Sequence, residues 1–554
     1  MRLINVSPAK GFSRREFLRN SGRLAAGTLT AGAVDEFGLP RALRALSMPV
    51  ESLKASISVD AGAVRNKIDP HIYGTLVEHI GRVVYGGLYE ESSPLSDEQG
   101  FRKDVLAAAR DWGVTILRWP GGDFASQYHW EDAIGPMQTR TRRYNAAWLE
   151  EESNHFGTDE FMAYCKKVGG EPYLCINAGT GTIEEAANWV EYCNGTGNTQ
   201  YANLRRKNGH PEPYGVRYWG LGNEIYGTWQ IGHKNAEDYT KFAIECAKMM
   251  RWVDPTIRLV ASGSVEDPTW NRKVLEELVN LVDYISVHDY EGAEDYYEML
   301  GSVRHFEHNI KLMDDTIELT DSQRGKDPII NWALPEMKGK KRIEIACDEW
   351  NIWYRKRDLW RRDVPNPVEE RYNLRDALWV ASSLNLMHRM GAVVTLANLA
   401  QLVNSIAPIF TSKDGMFLQT IYFPMKLYTH ECGSMYLASN VQSPTFSSKS
   451  YQDVPYLDLS ATTDDAKRVL SLVVVNRHQS EPITTSITIE NAHVDGKAQV
   501  FEINGASVES ENSFSEPNNV GIVPKDAVAV GTTFTYTFPA HSITLLKLHM
   551  TGTH

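Results

Sequence analysis

Two glutamates stand out by their position. Glu224 closes Tyr218-Trp219-Gly220-Leu221-Gly222-Asn223-Glu224, and Glu349 directly follows the run Ile343–Asp348. Each comes just past a short β-rich stretch, where a side chain is presented rather than packed. Two carboxyl groups facing each other across a gap are the equipment for cleaving a glycosidic bond. One, protonated, gives its proton to the leaving oxygen; the other, ionised, attacks the anomeric carbon or activates water. Their surroundings must then push the two pKa values apart. Asn223 stands beside Glu224 and has the donor and acceptor capacity to hold a ring hydroxyl next to the scissile bond.

The elements that must position this pair are legible as alternating runs between about residues 70 and 400. Strand-like stretches fall at Ile72–Val77, Thr115–Arg118, Tyr173–Asn177, Tyr218–Gly222, Leu259–Ser262, Tyr284–His288, Ile343–Asp348 and Val393–Ala397. Between them lie amphipathic, helix-like stretches such as Phe101–Trp112, Glu160–Val168, Ile183–Cys193, Ala236–Trp252 and Arg272–Val282, with Tyr372–Met390 closing the series. Eight β–α alternations predict an α/β fold, a (β/α)₈ TIM barrel, whose reactive groups collect at the C-terminal ends of the strands. Those ends carry Glu78-His79, Arg118 through Phe124, Asn177, Asn223-Glu224, His288-Asp289-Tyr290, Asp348-Glu349 and Asn398. Strands four and seven are opposite one another in such a barrel, so Glu224 and Glu349 are expected to face each other across its mouth. A doubly wound open sheet is the competing architecture. It is disfavoured because no Gly-rich phosphate fingerprint follows the first strand; Gly121-Gly122 follows the second.

After about residue 430 the texture changes. Short runs such as Val469–Asn476, Thr484–Glu490, Gln499–Ile503, Thr532–Phe538 and Ile543–Leu548 are separated by Gly, Asn, Ser and Pro, and Phe534–Phe538 alternates strictly. The expected organisation is a barrel over residues 69–428 followed by an antiparallel, jelly-roll-like β-sandwich over 429–554. A segment at 55–68 donates a further strand to the sandwich. No long linker separates the two domains, which predicts close packing.

Bulk properties exclude several function classes. A formal charge of −13 and the lack of a dense Lys/Arg block in the body of the 554-residue chain speak against a nucleic-acid partner. Fourteen Trp and 25 Tyr suit stacking on sugar faces, although most are expected in the core. The six cysteines have no CxxC spacing and no His cluster beside them, so no metal site is expected, and the two-carboxyl chemistry needs no cofactor. They read as buried free thiols, with one or two disulfides as the alternative. Within residues 1–45, Ser13-Arg14-Arg15-Glu16-Phe17-Leu18-Arg19 resembles a twin-arginine export signal, followed by a weakly apolar stretch from Leu24 to Val34. That predicts a periplasmic or extracellular protein without a membrane anchor, since a spanning helix needs about 20 apolar residues.

Four motifs then coincide: Arg118-Trp119-Pro120-Gly121-Gly122, Trp130 through Pro136, Gly222-Asn223-Glu224-Ile225-Tyr226-Gly227, and Glu349-Trp350-Asn351-Ile352-Trp353-Tyr354. In order and spacing, from about Ile72 to Tyr428, the chain resembles glycoside hydrolase family 51, the α-L-arabinofuranosidases. The resemblance implies that Glu224 is the general acid/base and Glu349 the nucleophile of a retaining, exo-acting enzyme. Its substrate would be an arabinofuranosyl-bearing oligo- or polysaccharide of the arabinan or arabinoxylan type. It further implies that Glu78 binds furanose hydroxyls, that Tyr290, with His288 nearby, hydrogen-bonds the nucleophile, and that Arg118 supports it electrostatically. Trp353 and Trp148 would wall the sugar pocket, Gln419 would be a pocket amide, and the chain would form a homo-oligomer such as a hexamer. One position departs from the pattern, because Asp123 stands where the family commonly has Asn. A carboxylate there adds negative charge beside Glu78, Glu224 and Glu349, and is expected either to help keep Glu224 protonated or to alter the preferred hydroxyl pattern. The same machinery with another specificity, a β-glycanase or galactofuranosidase, remains open at this point, as does, more remotely, a sugar-binding protein without catalysis.

Overall fold

The computed structural model describes residues 53–265, 267–335, 342–354, 368–494 and 496–551. The export-signal expectation at 1–45 lies outside them. The strands of the two domains are β1 (Leu53–Lys67), β2 (Gly74–Leu76), β3 (Ile116–Trp119), β4 (Glu171–Cys175), β5 (Tyr218–Gly220), β6 (Arg258–Ala261), β7 (Tyr284–Glu291), β8 (Glu344–Ile352) and β9 (Val394–Ala400), then β10 (Met435–Gln442), β11 (Leu457–Thr463), β12 (Val469–Asn476), β13 (Ile483–Glu490), β14 (Lys497–Asn504), β15 (Gly521–Ala529), β16 (Thr533–Phe538) and β17 (Ser542–Thr551). Strands β2 to β9 close into a parallel barrel, with β8 pairing β7 to complete the ring. Its outer helices are α1 (Lys103–Trp112), α2 (Thr158–Val168), α3 (Ile183–Asn194), α4 (Gln200–Lys207), α5 (Ala236–Val253), α6 (Pro268–Leu278), α7 (Tyr296–Gly301), α8 (Val303–Asp321), α9 (Pro328–Ala333), α10 (Leu374–Arg389) and α11 (Tyr422–Glu431).

Local chemistry explains where these elements begin. In α3, Thr182 accepts from the Glu185 amide while Glu185 reaches back to the Thr182 amide, a reciprocal cap. Helix α6 starts one turn earlier than its apolar pattern suggests. The Asp267 carboxylate accepts from the amides of Thr269 and Trp270, and Pro268 is pre-set for a first helical position. The barrel interior is filled by Ile116, Tyr173, Tyr218, Val260, Tyr284, Ala346 and Leu396, one residue from each of β3 to β9. Strand β2 contributes Gly74 at that level. A side chain there would collide with Ile116 and Asn398, so only glycine lets the ring close.

The remaining strands form one sheet in the order β15-β14-β17-β12-β11-β10-β1-β13-β16. Residues from far ends of this path, Val500 of β14 and Phe538 of β16, share a core with Ile57, Ile487 and Leu546, so the sheet folds over on itself as a sandwich. It is not antiparallel throughout: β1 runs antiparallel to β10 but parallel to β13. Parallel neighbours need a long crossover, and here the connection from β1 includes the whole barrel. Helix α10 joins the two domains. Asn385 and Arg389 donate to Asp458 of β11 at 3.1 and 2.9 Å, and the His388 ring lies 2.7 Å from both Ser460 Oγ and Tyr73 Oη. All six cysteines are free, and five are buried. Among the described residues no helix is long and apolar enough to cross a membrane.

Candidate active site

The site begins with an irregularity in β8. Between Ala346 and Glu349, three steps along β8 are set against two along β7, from Ser286 to His288. The pairing with β9 shifts in the same way between Cys347 and Trp350. Strict alternation would place Ala346 and Asp348 inside the barrel and send Glu349 outward. The bulge turns both acids inward. Asp348 then accepts from the Tyr173 hydroxyl at 2.7 Å, deep in the barrel, and Glu349 reaches the mouth.

Arg118, buried at the end of β3, is the hub beneath them. Its Nη1 donates to Glu349 Oε1 at 2.6 Å, its Nη2 to Asn223 Oδ1 at 2.7 Å, and its Nε lies 3.3 Å from Asp348 Oδ2. Because Arg118 can only donate, it fixes which way the Asn223 amide faces. Among the described residues, the buried Asn223 Nδ2 has no protein partner. A side chain at Gly122 would reach within 3.1 Å of Glu349 Oε1, 3.2 Å of Glu78 Oε2 and 3.5 Å of Asn223 Nδ2. Glycine at 122 therefore leaves open a space ringed by two carboxylate oxygens and the Asn223 Nδ2.

Glu349 is completed by Tyr290, whose hydroxyl donates to Oε2 at 2.8 Å. Tyr290 belongs to β7, which runs three residues past the predicted strand end. Opposite, Glu224 sits at φ 40°, a left-handed backbone that few non-glycine residues adopt. Its Oε1 lies 2.8 Å from His288 Nδ1, and its Oε2 accepts from Trp229 Nε1 at 3.1 Å. The far nitrogen of His288 is 3.2 Å from Asp348 Oδ1. One oxygen each of Glu224 and Glu349 and one nitrogen of His288 all lie within 4.8 Å of one another. Glu78 holds three donors: the Phe124 amide and Trp148 Nε1 on Oε1, and Gln401 Nε2 on Oε2, at 2.9–3.0 Å. Trp353 packs edge-on against Tyr290 at 5.8 Å. Glu78, Asp123, Trp148, Glu224, His288, Tyr290, Glu349 and Trp353 all line one cavity of about 690 Å³.

Gln419 is not among them. Its amide is buried elsewhere, donating to the carbonyls of Glu370 and Ala407 and accepting from the Tyr372 amide, so it clamps three backbone segments together. The expected pocket amide at 419 is corrected accordingly, and Gln401 is the amide that touches Glu78. Trp229, the donor on Glu224 Oε2, also lies outside the four motifs. The only sequence signal for either is proximity: Gln401 lies four residues past the expected end of the eighth strand, and Trp229 five past Glu224. Asn177 and Asn398, at strand ends, serve turns and strands through backbone contacts.

Electrostatics separates three of the cavity carboxyls, Glu224, Glu78 and Asp123. Burial opposes charge on His288, but the charge of Glu349 and the contacts with Asp348 and Glu224 outweigh it and hold the imidazolium well above its usual range. Burial likewise raises Glu224, yet its contact with the charged His288 and the hydrogen bond from Trp229 leave it below the ordinary carboxyl value. Glu78 is raised, by burial and then by Glu349. Asp123 is raised well above its ordinary value, by burial and then by the charges of Glu224, Glu78 and Glu349.

Residues 108–309 match the model of the α-L-arabinofuranosidase 1 domain, and residues 348–542 that of the α-L-arabinofuranosidase C-terminal domain. A probable α-L-arabinofuranosidase C of Aspergillus clavatus is 38% identical over 89% of this chain and 97% of its own length. The chain belongs to the glycoside hydrolase family 51 α-L-arabinofuranosidases. An intracellular exo-α-(1→5)-L-arabinofuranosidase of Bacillus subtilis shares 38% identity over 84% of this chain and 93% of its own length. Among solved structures, the arabinose complex of an α-L-arabinofuranosidase from Thermotoga maritima superposes with a TM-score of 0.82. It is 41% identical and covers 90% of this chain and all of that one. In this family member, then, the barrel mouth and its carboxyl cluster are the place to look for glycosidase chemistry.

Proposed function

We propose that this protein is a retaining, exo-acting α-L-arabinofuranosidase that releases terminal arabinofuranose from arabinan- or arabinoxylan-type chains. The observation that carries the mechanism is the narrow gap between Glu224 and Glu349, whose nearest oxygens are within 4.8 Å. Double displacement uses carboxyls about 5–5.5 Å apart, whereas inversion needs roughly 6.5–9.5 Å to admit a water. Glu349 attacks the anomeric carbon, aimed by Arg118 and Tyr290, while Glu224 protonates the departing oxygen. Water then enters, gives a proton to Glu224 and displaces the sugar from Glu349. Glu78 and the free Asn223 amide hold ring hydroxyls, and Trp148, fixed on Glu78, and Trp353 close around the sugar. Proton NMR of the first-formed product from an aryl α-L-arabinofuranoside tests this: the α-anomer is expected, and a first-formed β-anomer refutes double displacement.

The Ser13–Arg19 motif supports export by the twin-arginine route, although the B. subtilis relative is named intracellular. A fusion of residues 1–45 to a reporter that is active only after translocation is expected to be exported, and replacing Arg14 and Arg15 with Lys to block it. The homo-oligomeric state implied by the family resemblance is tested by light scattering.

A further inference from the structure

Five carboxyl groups line the cavity, and their hydrogen-bond donors are unequally shared. Glu78 holds three, Glu349 two from Arg118 and Tyr290, and Glu224 two from His288 and Trp229. Asp289 accepts from Asn309 at 3.0 Å and faces His305. Among the described residues, no donor reaches the Asp123 carboxyl, and no Arg, Lys or His nitrogen pairs with it. Only its backbone carbonyl is engaged, by Gln230 Nε2 at 3.4 Å. A donor-rich carboxyl favours the ionised form; one facing like charges with no donor favours the protonated form.

The free site therefore presents a problem for the first chemical step. Glu224 Oε2 accepts from Trp229, and Oε1 lies 2.8 Å from the His288 ring that is held as imidazolium, so the contacts of Glu224 favour its ionised form over the acid that must protonate the leaving group. From the cavity of the retaining glycosidase proposed above, we infer that Asp123 stores this proton in the free enzyme and passes it to Glu224 when substrate loads. Trp229 is the donor placed to yield. It is 48% exposed at the rim, whereas His288 is buried behind Glu224 and tied to Asp348. Displacement of the Trp229 indole by the leaving group bares Glu224 Oε2.

The protons balance through the cycle. The Asp123 O–H breaks and an O–H forms on Glu224; that proton moves to the glycosidic oxygen as the bond to the anomeric carbon breaks. In the second step water loses a proton to Glu224 as its oxygen joins the sugar, and Glu224 returns that proton to Asp123. The groups facing Asp123 agree with this allocation. Glu78 from the end of β2, Glu224 beyond β5 and Glu349 on β8 are acidic, and the neutral Tyr290 on β7 is bound to Glu349. The two cations, Arg118 on β3 and His288 on β7, are spent on Glu349, Asp348 and Glu224. Burial, ahead of these acidic neighbours, raises Asp123 well above its usual value; Asp289, the other raised aspartate of the cavity, is engaged with Asn309 and His305 instead.

Infrared difference spectroscopy locates the proton without depending on turnover. The wild type minus D123N spectrum at neutral pH is expected to show the carbonyl stretch of a protonated carboxyl, and wild type minus E224Q no such band from Glu224. A protonated-carboxyl band that survives in D123N and disappears in E224Q overturns the proposal. Kinetics gives a second readout. In D123N and D123A the alkaline limb of kcat/KM should move down by about one pH unit. Loss should be at least about tenfold larger on alkyl arabinofuranosides, which need the acid, than on dinitrophenyl ones, which do not. An unmoved alkaline limb with equal losses on both substrates counts against a proton store. Wild-type inactivity on every arabinofuranoside would refute the proposed function while leaving the infrared result intact, so the two failures are distinguishable.

Discussion

Two buried histidines mark two very different polar regions of the molecule. His288, at the barrel mouth, is 6% exposed and has Glu224 at one ring nitrogen and Asp348 at the other. Its surroundings hold it well above the usual imidazole pKa, against the cost of burial. His388, at the seam between barrel and sandwich, is fully buried between the hydroxyls of Tyr73 and Ser460. There burial acts unopposed, the neighbouring Arg389 charge adds to it, and the pKa falls to about 3. A neutral ring satisfies both hydroxyls, since one nitrogen donates and the other accepts. Similar burial thus leaves one ring charged and the other neutral. The mouth concentrates ionised groups poised to react, and the seam keeps its histidine neutral beside the closed Arg389–Asp458 pair.

Replacing groups in the two regions should accordingly separate activity from stability. The largest effect is expected for Glu349→Ala, with kcat lowered about 10⁴-fold or more and azide restoring turnover of activated substrates. His288→Gln comes next. Glutamine cannot carry the charge held between Glu224 and Asp348, so kcat/KM should fall about 10²-fold and the pH profile should shift. Activity losses of that size from His388→Gln, at the seam, would break the comparison.

The seam should instead report on pH through stability. His388 has a depressed folded-state pKa, so its stabilisation is complete above the unfolded value near 6.5 and is lost as pH falls toward about 3. Urea unfolding at pH 7 and pH 4 should differ by on the order of a few kcal/mol from this residue alone, and His388→Gln should flatten that difference. The smallest effects distinguish two amides. Gln401→Ala should raise KM roughly tenfold by releasing Glu78, whereas Gln419→Ala should lower Tm by about 4 °C with KM unchanged.

Much of this arrangement is legible in the chain itself. The eight barrel strands show as apolar β-rich runs, and their ends bring Glu78, Arg118, Glu224, His288 and Glu349 to one cavity, as an eight-strand alternation requires. Three things are hidden, each for a physical reason. The β8 bulge that turns both Asp348 and Glu349 inward is a register shift against β7 and β9, and no local pattern in Ile343–Ile352 encodes it. Gln401 and Gln419 are both amides in the same stretch of chain, and only tertiary contacts show which meets Glu78. The parallel pairing of β1 with β13 joins segments separated by the barrel, beyond the reach of any periodicity. Asp123 is the converse case. Its type departs visibly from the family pattern, but its lack of donors among the described residues appears only once Glu78, Glu224 and Glu349 have taken theirs.

The division of labour between the two glutamates is tested most directly by trapping the intermediate. Glu224→Ala enzyme, given a dinitrophenyl α-L-arabinofuranoside, should form the glycosyl-enzyme quickly and hydrolyse it slowly. Peptide mass spectrometry is then expected to find one pentosyl group on the peptide carrying Glu349. A pentosyl group on any other carboxyl, or turnover to β-arabinofuranose with no labelled peptide, would contradict the account.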